Sequence, residues 1–115
     1  MQITQSKNQS IDIIALQGKL DAGTAPALEQ KLMAMIDQGS KQLVINLEGL
    51  QYISSAGLRV LLMTAKKMKG ASGKLALCGL QENVKEIFDL AGFTTIFSIY
   101  ASASEASGAL LATNK

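Results

Sequence analysis

Histidine and tryptophan are absent from this sequence of 115 residues, and cysteine and proline each occur once. Without histidine, the chain cannot assemble a Ser-His-Asp triad, a Cys-His pair or a histidine-rich metal site. The lone cysteine, Cys78, cannot form an internal disulfide, and the apolar stretch "LALCG" around it predicts a small buried side chain. We therefore expect a cytoplasmic protein that is not an enzyme and needs no metal or other cofactor.

An excess of charge of either sign is also lacking, because 11 basic and 9 acidic residues leave a net charge of only +2. So small a positive charge, with aromatic residues at 4%, argues against nucleic-acid binding, which uses a basic surface and aromatic side chains for base stacking. No stretch approaches the roughly 20 apolar residues that span a bilayer, and "MQITQSKNQS" has no apolar core of a secretory signal. We expect neither a nucleic-acid partner nor direct membrane insertion.

The residues that are present suit a folded domain, with 48% hydrophobic and 17% charged residues. A chain of this length buries somewhat over ~60% of the surface that it exposes when unfolded, which is enough for one core. We therefore expect a single domain that spans residues 1–115.

Five segments of the sequence read as strands. Residues 2–7 and 11–17 are separated by the turn-prone "NQS", which predicts an antiparallel hairpin. The apolar runs "QLVINL" at 42–47 and "KLALC" at 74–78 are typical of strands covered on both faces. The β-branched and aromatic stretch "TTIFSIY" at 94–100 predicts a last strand.

Four helices are predicted between and after these strands. Thr24 is a suitable N-cap for the first helix, and Gly70 ends the second helix, which begins at a pair of serines. Residues 82–92 form the third, and the capping-box spacing of Ser102 and Glu105 opens a last helix of roughly ten residues. The alternation predicts an α/β fold with a mixed, mostly parallel sheet of four to five strands and about four helices.

Familiar phosphate-binding and catalytic motifs are not supported. The stretch "GASGK" lacks the spacing of a Walker loop and follows a helix, which is the reverse of the required context. The serine pair does not form a nucleophile elbow, since Ile53 stands where that turn needs glycine and no histidine can act as the base. No dinucleotide-binding glycine motif occurs.

Four lysines cluster near the end of the second predicted helix, at Lys66, Lys67, Lys69 and Lys74. The favoured interpretation is a solvated face whose charges complement the negative end of the helix dipole. Contact with an acidic partner or a membrane surface is the weaker alternative.

The stretch "YISSAGLRVLLM", residues 52–63, joins an apolar helical pattern to an unusually small first turn. Helix stability does not explain Gly57, because glycine costs about 1 kcal/mol relative to alanine in a helix. In a structural interpretation, one serine is the N-cap, and Ala56 and Gly57 fit beneath a neighbouring loop. In a functional interpretation, the turn follows the carboxyl end of a strand, where α/β sheets present ligands, and its small side chains admit another backbone. The local residues leave both interpretations open.

Three segments together resemble the STAS family, the domain of anti-sigma-factor antagonists and of the cytoplasmic tails of sulphate transporters. "GKLDAGTAPALEQKL" is similar to the family's entry into its first helix. "LVINLEGLQYISSAGLRVLL" is similar to a strand followed by D-S-[STA]-G-L, and "LALCGLQENVKEIFDLAGFTTIF" is similar to a later strand and helix. The resemblance covers most of the chain and implies a STAS-like fold.

In stand-alone antagonists of this family, the serine before the [STA]-G pair is phosphorylated, and here that serine is Ser55. The resemblance implies that the unmodified protein binds an anti-sigma factor that is also a serine kinase, and that phosphorylation ends this binding. A phosphatase then resets the switch. Arg59 lies four residues beyond Ser55, a helical spacing at which it can pair with the phosphate.

One position departs from the family pattern, because Ser54 stands where the family usually has aspartate. Ser54 is therefore a possible second phosphorylation site. The departure also leaves open an alternative in which the chain is a docking or scaffold subunit of a transport or stress-signalling complex, without phosphorylation. Asp21 and Thr24 match the family pattern and are expected to border the same surface. Purely structural roles, as a turn residue for Asp21 and as the N-cap for Thr24, have equal weight. The expected partner-binding residues are Asp21, Thr24, Ser54, Ser55, Ala56, Gly57 and Arg59.

Overall fold

The computed structural model describes residues 1–112, which form five strands and four α-helices. The predicted domain extends to residue 115, and its last three residues lie outside this range. The elements are β1 Gln2–Asn8, β2 Ile11–Leu20, α1 Ala25–Asp37, β3 Gln42–Ile53, α2 Ser55–Gly70, β4 Lys74–Cys78, α3 Glu82–Leu90, a 3-10 turn Phe93–Thr95, β5 Ser98–Tyr100 and α4 Ala103–Ala112.

The strands form one sheet in the order β1-β2-β3-β4-β5. Strand β1 pairs antiparallel with β2, in a register that places Asn8 opposite Ile11, and the four strands β2 to β5 are parallel. The predicted hairpin and the mixed, mostly parallel sheet with four helices are confirmed.

The two faces of the sheet support separate groups of buried side chains. On one face, helices α1, α2 and α3 bury the larger group, which includes Leu28, Leu61 and Phe88. On the other face, α4 covers a smaller group that includes Val44 and Cys78. Burial raises the pKa of the Cys78 thiol to about 11, with the nearby Glu48 carboxylate acting in the same direction. The predicted burial of the lone cysteine is confirmed.

Strand β3 is longer than its apolar run, because it continues past Leu47 to Ile53 instead of ending at "EGLQ". Gly49 permits this extension, since a Cβ there would lie 2.9 Å from the carbonyl oxygen of Leu16 on β2. The pairing of β2 with β3 shifts register twice along this stretch and still brings Leu20 opposite Ile53.

The last strand is shorter than predicted. Residues 98–100 form β5, whereas Phe93–Thr95 form a 3-10 turn, and Ile96 and Phe97 donate their N–H groups to the carbonyl of Phe93. Packing of Phe93 and Phe97 against the core overrides the strand preference of the β-branched residues between them.

The second helix ends at Gly70 as predicted, but the residue that reverses the chain is Ser72. Its φ of 60° is left-handed, and the N–H of Gly73 donates to the carbonyl of Met68 at 2.7 Å. This bonding closes the helix in a Schellman motif in which a serine takes the position that glycine usually fills. Within residues 1–112, no helix has the length and hydropathy needed to cross a bilayer.

The interior of the α3 side is organised around three phenylalanine rings. Phe88 is fully buried, and its ring centroid lies 5.9 Å from that of Phe93 and 6.1 Å from that of Phe97. Such edge-on and tilted ring pairs add about 0.5–1.5 kcal/mol each to the burial of their area. Phe88 therefore anchors α3 and the irregular segment that replaces the predicted strand.

We expect Phe88→Ala to lower the free energy of unfolding by about 3–5 kcal/mol, because it leaves a cavity among these rings. Leu90→Ala is the matched control, since Leu90 is 89% exposed and its loss changes stability by about 0.5 kcal/mol or less. Urea denaturation of both variants measures the difference. Equal midpoints would show that Phe88 does not anchor this part of the core.

Candidate functional site

The candidate site lies where the carboxyl ends of β2 and β3 meet. These strands are adjacent and parallel, and the N–H of Ser54 donates to the carbonyl oxygen of Leu20 at 2.9 Å. This bond joins the first residue after β3 to the last residue of β2. The loop before α1 and the first turn of α2 therefore form one continuous surface, at the edge where parallel sheets present their ligands.

Ser54 is the N-cap of α2. Its φ and ψ of −96° and 174° are extended, and its hydroxyl oxygen accepts a hydrogen bond from the N–H of Gly57 at 3.3 Å. The carbonyl of Ser54 accepts the first helical bond, from Leu58 at 2.9 Å. The structure thus resolves which serine of the pair caps the helix, and the cap side chain is half-buried.

Ser55 is the first residue of α2, and its side chain is exposed. Among residues 1–112, no hydrogen bond involves its hydroxyl. The first N–H groups of a helix have no partners within the helix, and the helix dipole places partial positive charge at this end. The hydroxyl of Ser55 is therefore open to chemistry in surroundings that stabilise an added negative charge.

Gly57 faces inward. A Cβ added to it would lie 2.6 Å from Cγ of Leu20 and 2.9 Å from Cγ1 of Ile53, closer than real side chains approach. Glycine at this position lets α2 rest directly on the ends of the two strands. This contact explains the small residue, whereas the neighbouring Ala56 is half-buried against the same core.

The loop from Asp21 to Thr24 is held by the carboxylate of Asp21. Its Oδ1 accepts hydrogen bonds from the N–H groups of Gly23 at 3.0 Å and Thr24 at 3.1 Å. The bond from the Thr24 N–H, with smaller help from the Thr24 hydroxyl and the Gly23 N–H, lowers the pKa of Asp21 below its ordinary value of 3.8. The loop conformation therefore favours the ionised carboxylate.

The predicted capping role of Thr24 is wrong in its detail. Thr24 occupies the N-cap position of α1, but its side chain makes no capping bond. Its hydroxyl accepts from the N–H of Asp21 and donates to the carbonyl of Lys19, both at 2.9 Å. Thr24 thus closes the loop onto β2. Its backbone is helical, with φ and ψ of −102° and −21°, and Pro26 in the first turn has no N–H for a capping oxygen to accept.

Two further side chains border this surface. Arg59 is exposed one turn after Ser55, as its spacing predicts, and it forms no ion pair within residues 1–112. Tyr52 is 44% exposed two residues before Ser54, opposite Lys19 in the sheet register. Tyr52 is not among the predicted partner-binding residues, because the apolar run that predicts β3 ends at Leu47, five residues before it. Tyr52 lies in the part of β3 that extends beyond the apolar run, and the sequence does not indicate this extension.

A polar groove of about 670 Å³ lies elsewhere on the molecule. Its lining includes Ser10, Asp12, Ser40 and Lys41, which stand near the amino ends of β2 and β3. No residue of α2 or of the loop before α1 contributes to it. In the part of the chain that the structure describes, no group of three acidic or cysteine side chains is placed to hold a metal ion.

The sequence model of the STAS domain matches residues 2–106. BtrV of Bordetella bronchiseptica, named as a candidate anti-sigma factor antagonist, is 41% identical over 113 residues, which cover 98% of this chain and 97% of BtrV. The anti-sigma-B factor antagonist of Bacillus subtilis is 34% identical over 95 residues, which cover 83% of this chain and 86% of that protein. The phosphorylated form of the Bacillus protein SpoIIAA shares the fold with a TM-score of 0.75 and 20% identity, over 93% of this chain and 97% of that one.

We expect Gly57→Ala to lower the free energy of unfolding by about 1–3 kcal/mol, because the new methyl group overlaps Leu20 and Ile53. Gly108→Ala is the control, since Gly108 lies inside α4 with open space around its Cα and the same change there raises stability by about 0.5–1 kcal/mol. Thermal or urea denaturation measures both. A Gly57→Ala variant as stable as the wild type would contradict the close packing.

We expect a carboxyl titration of Asp21, followed by NMR, to give a pKa below 3.8. Because the folded-state pKa is lowered, the stabilisation is present above the unfolded value and is lost as pH falls through the folded value. Asp21→Asn retains an acceptor oxygen for the loop but removes this pH dependence. A pKa at or above 3.8 would show that the carboxylate does not hold the loop.

Proposed function

This chain belongs to the STAS domain family, and we propose that it acts as an anti-sigma factor antagonist that phosphorylation of Ser55 switches off. In this proposal, the unmodified protein binds an anti-sigma factor that is also a serine kinase, in the cytoplasm, and so releases a sigma factor. A phosphatase restores the unmodified form. The protein itself performs no catalysis.

The observation that supports the proposal most strongly is that the two serine hydroxyls have different surroundings. The Ser54 hydroxyl caps α2, whereas the Ser55 hydroxyl is exposed at the first helical position. A kinase can reach Ser55 without disturbing the helix, whereas the half-buried Ser54 hydroxyl is already bonded to the N–H of Gly57. We therefore propose Ser55 as the phosphorylation site and keep Ser54 only as a possible second one.

The replacement of the family's usual aspartate by Ser54 is compatible with this role. Serine and aspartate are both strong N-cap residues, because each offers an oxygen to the N–H groups of the first turn. The extended backbone of Ser54 and its bond to Gly57 show that the cap is kept. The missing carboxylate changes the charge beside Ser55 and leaves the shape of the turn intact.

A phosphoryl group on Ser55 is expected to leave the fold unchanged. It adds about −1.5 to −2 charges at a helix N-terminus, where free N–H groups and the helix dipole stabilise anions. Arg59, exposed one turn further on, is placed to pair with it. SpoIIAA, which shares this fold, has been solved in a phosphorylated form.

A docked partner would not accept the same group. We propose that the anti-sigma factor covers a surface formed by Asp21, Thr24, Ser54, Ser55, Ala56 and Arg59. Gly57 lies beneath this surface and fixes the position of the turn. Placing a phosphate in such a contact desolvates it or sets it against acidic groups. A difference of ~4 kcal/mol in binding corresponds to a roughly thousandfold loss of affinity.

A second candidate function is a docking subunit that uses the same surface without phosphorylation, within a transport or stress-signalling complex. The absence of the family's acidic residue at position 54 favours it. It differs from the main proposal in one observable, because no phosphopeptide covering Ser55 would be found in the native cell.

The kinase test uses the anti-sigma factor recovered with the wild-type chain from the native cell, purified and supplied with ATP. We expect it to phosphorylate the wild type and Ser54→Ala but not Ser55→Ala, with the site located by phosphopeptide mapping. Ser54→Ala should also lose about 0.5–2 kcal/mol of stability through its missing cap, which separates the two roles. Phosphorylation of Ser55→Ala at an undiminished rate would overturn the proposed site.

A further inference from the structure

The exposed side of α2 extends well beyond Ser55. In a helix of 100° per residue, Ser55, Arg59, Met63 and Lys66 fall within an arc of about 80° and a length of about 16 Å. All four side chains are exposed, and Met63 is 39% exposed despite its apolar character. We call this set the basic face of α2.

Charge on α2 is entirely of one sign, because the helix carries Arg59, Lys66, Lys67 and Lys69 and no acidic residue. The remainder of the chain carries seven basic and nine acidic residues. Lys67 is neutralised by Asp37, with Nζ and Oδ1 2.9 Å apart. Within residues 1–112, Arg59 and Lys66 have no ion pair, so the charge of the basic face is uncompensated.

We infer that the basic face of α2 docks against an acidic surface of the anti-sigma factor, with Met63 in an apolar contact between the charged pairs. This inference rests on the proposed function and adds the chemistry of the partner to it. Opposite charges across an interface accelerate association and fix its orientation. A polarizable methionine surrounded by charged side chains suits such a contact.

A lipid surface is a poorer match for the same face. Helices that bind membranes bury an apolar side in the acyl region. The apolar side of α2, with Leu58, Leu61 and Met68, is already buried against the sheet, and Met63 alone remains exposed.

Phosphorylation of Ser55 releases the partner by changing the charge of the basic face. The phosphate on Ser55 stands at one end of the basic face and pairs with Arg59, so it removes one attractive charge and opposes the acidic partner with a new negative one. The effect is electrostatic, and salt screens exposed charges over a Debye length of about 8 Å at physiological ionic strength. Steric exclusion by the phosphate would not depend on salt.

The first test measures the affinity of the anti-sigma factor for charge-reversal variants of the full chain. We expect Arg59→Glu and Lys66→Glu each to weaken binding by about tenfold, because like charges then face each other. Lys85→Glu on the exposed surface of α3 changes the net charge equally and should leave the affinity within about threefold. Equal effects of all three variants would overturn the inference, and the proposed function would stand if Ser55→Asp still abolished binding.

The second test compares Ser55→Asp with the neutral, similarly sized Ser55→Asn at low and high salt. We expect Ser55→Asp to bind more weakly than Ser55→Asn at low salt, and this difference to shrink as salt rises. Equal, salt-independent losses in both variants would overturn the electrostatic mechanism. Undiminished binding by Ser55→Asp at low salt would overturn the proposed function instead.

A third measurement needs no anti-sigma factor. A synthetic acidic peptide of glutamate and leucine is titrated into the labelled chain, and anionic phosphatidylserine vesicles are titrated in parallel. We expect NMR shift changes from the peptide at Arg59, Met63 and Lys66, weakened by Ser55→Asp. Binding to vesicles alone, or peptide shifts elsewhere on the surface, would contradict an acidic protein partner.

Discussion

The first turn of α2 lies directly against the end of β2, and the candidate site depends on that contact. The missing side chain of Gly57 brings the helix onto Leu20 and Ile53, and the N–H of Ser54 donates to the carbonyl of Leu20. With the helix held this close, Ser54 turns inward to cap it and Ser55 turns outward to solvent. The same contact places the Asp21 loop beside the serine pair. A larger residue at position 57 would shift all of these groups together.

In this arrangement, the residues that hold the site together differ from the residues that the site exposes to a partner. Buried or half-buried groups, namely Gly57, Ser54 and Thr24, fix the two segments through packing and hydrogen bonds. Exposed groups, namely Ser55 and Arg59, contribute little to those contacts. Because the exposed groups are nearly independent of the fold, a modification there can change binding while the structure stays the same. That independence is the property that a phosphorylation switch requires.

Much of the fold could be predicted from the sequence, because strand and helix periodicities are local. The hairpin, the parallel strands, the helices and the buried cysteine followed from apolar spacing and capping residues. The end of β3 did not, since Gly49 continues the strand through a close approach to β2 that only the folded chain reveals. The strand predicted at 94–100 is shorter in the structure for a similar reason, because Phe97 packs against Phe88 and Phe93 instead of joining the sheet. At the site, the serine pair could be identified from the sequence. The sequence alone does not show that Ser54 is the cap or that Gly57 packs against Leu20.

In the proposed switch, one phosphate on Ser55 changes partner affinity without changing the fold. The most direct measurement is the affinity of one purified anti-sigma factor for the unmodified chain and for the same chain phosphorylated on Ser55, with backbone NMR spectra of both forms. We expect phosphorylation to cause a roughly thousandfold loss of affinity, with spectral changes confined to residues 21–24 and the first two turns of α2. Equal affinities of the two forms would contradict the proposed switch, as would a loss of affinity accompanied by spectral changes throughout the sheet.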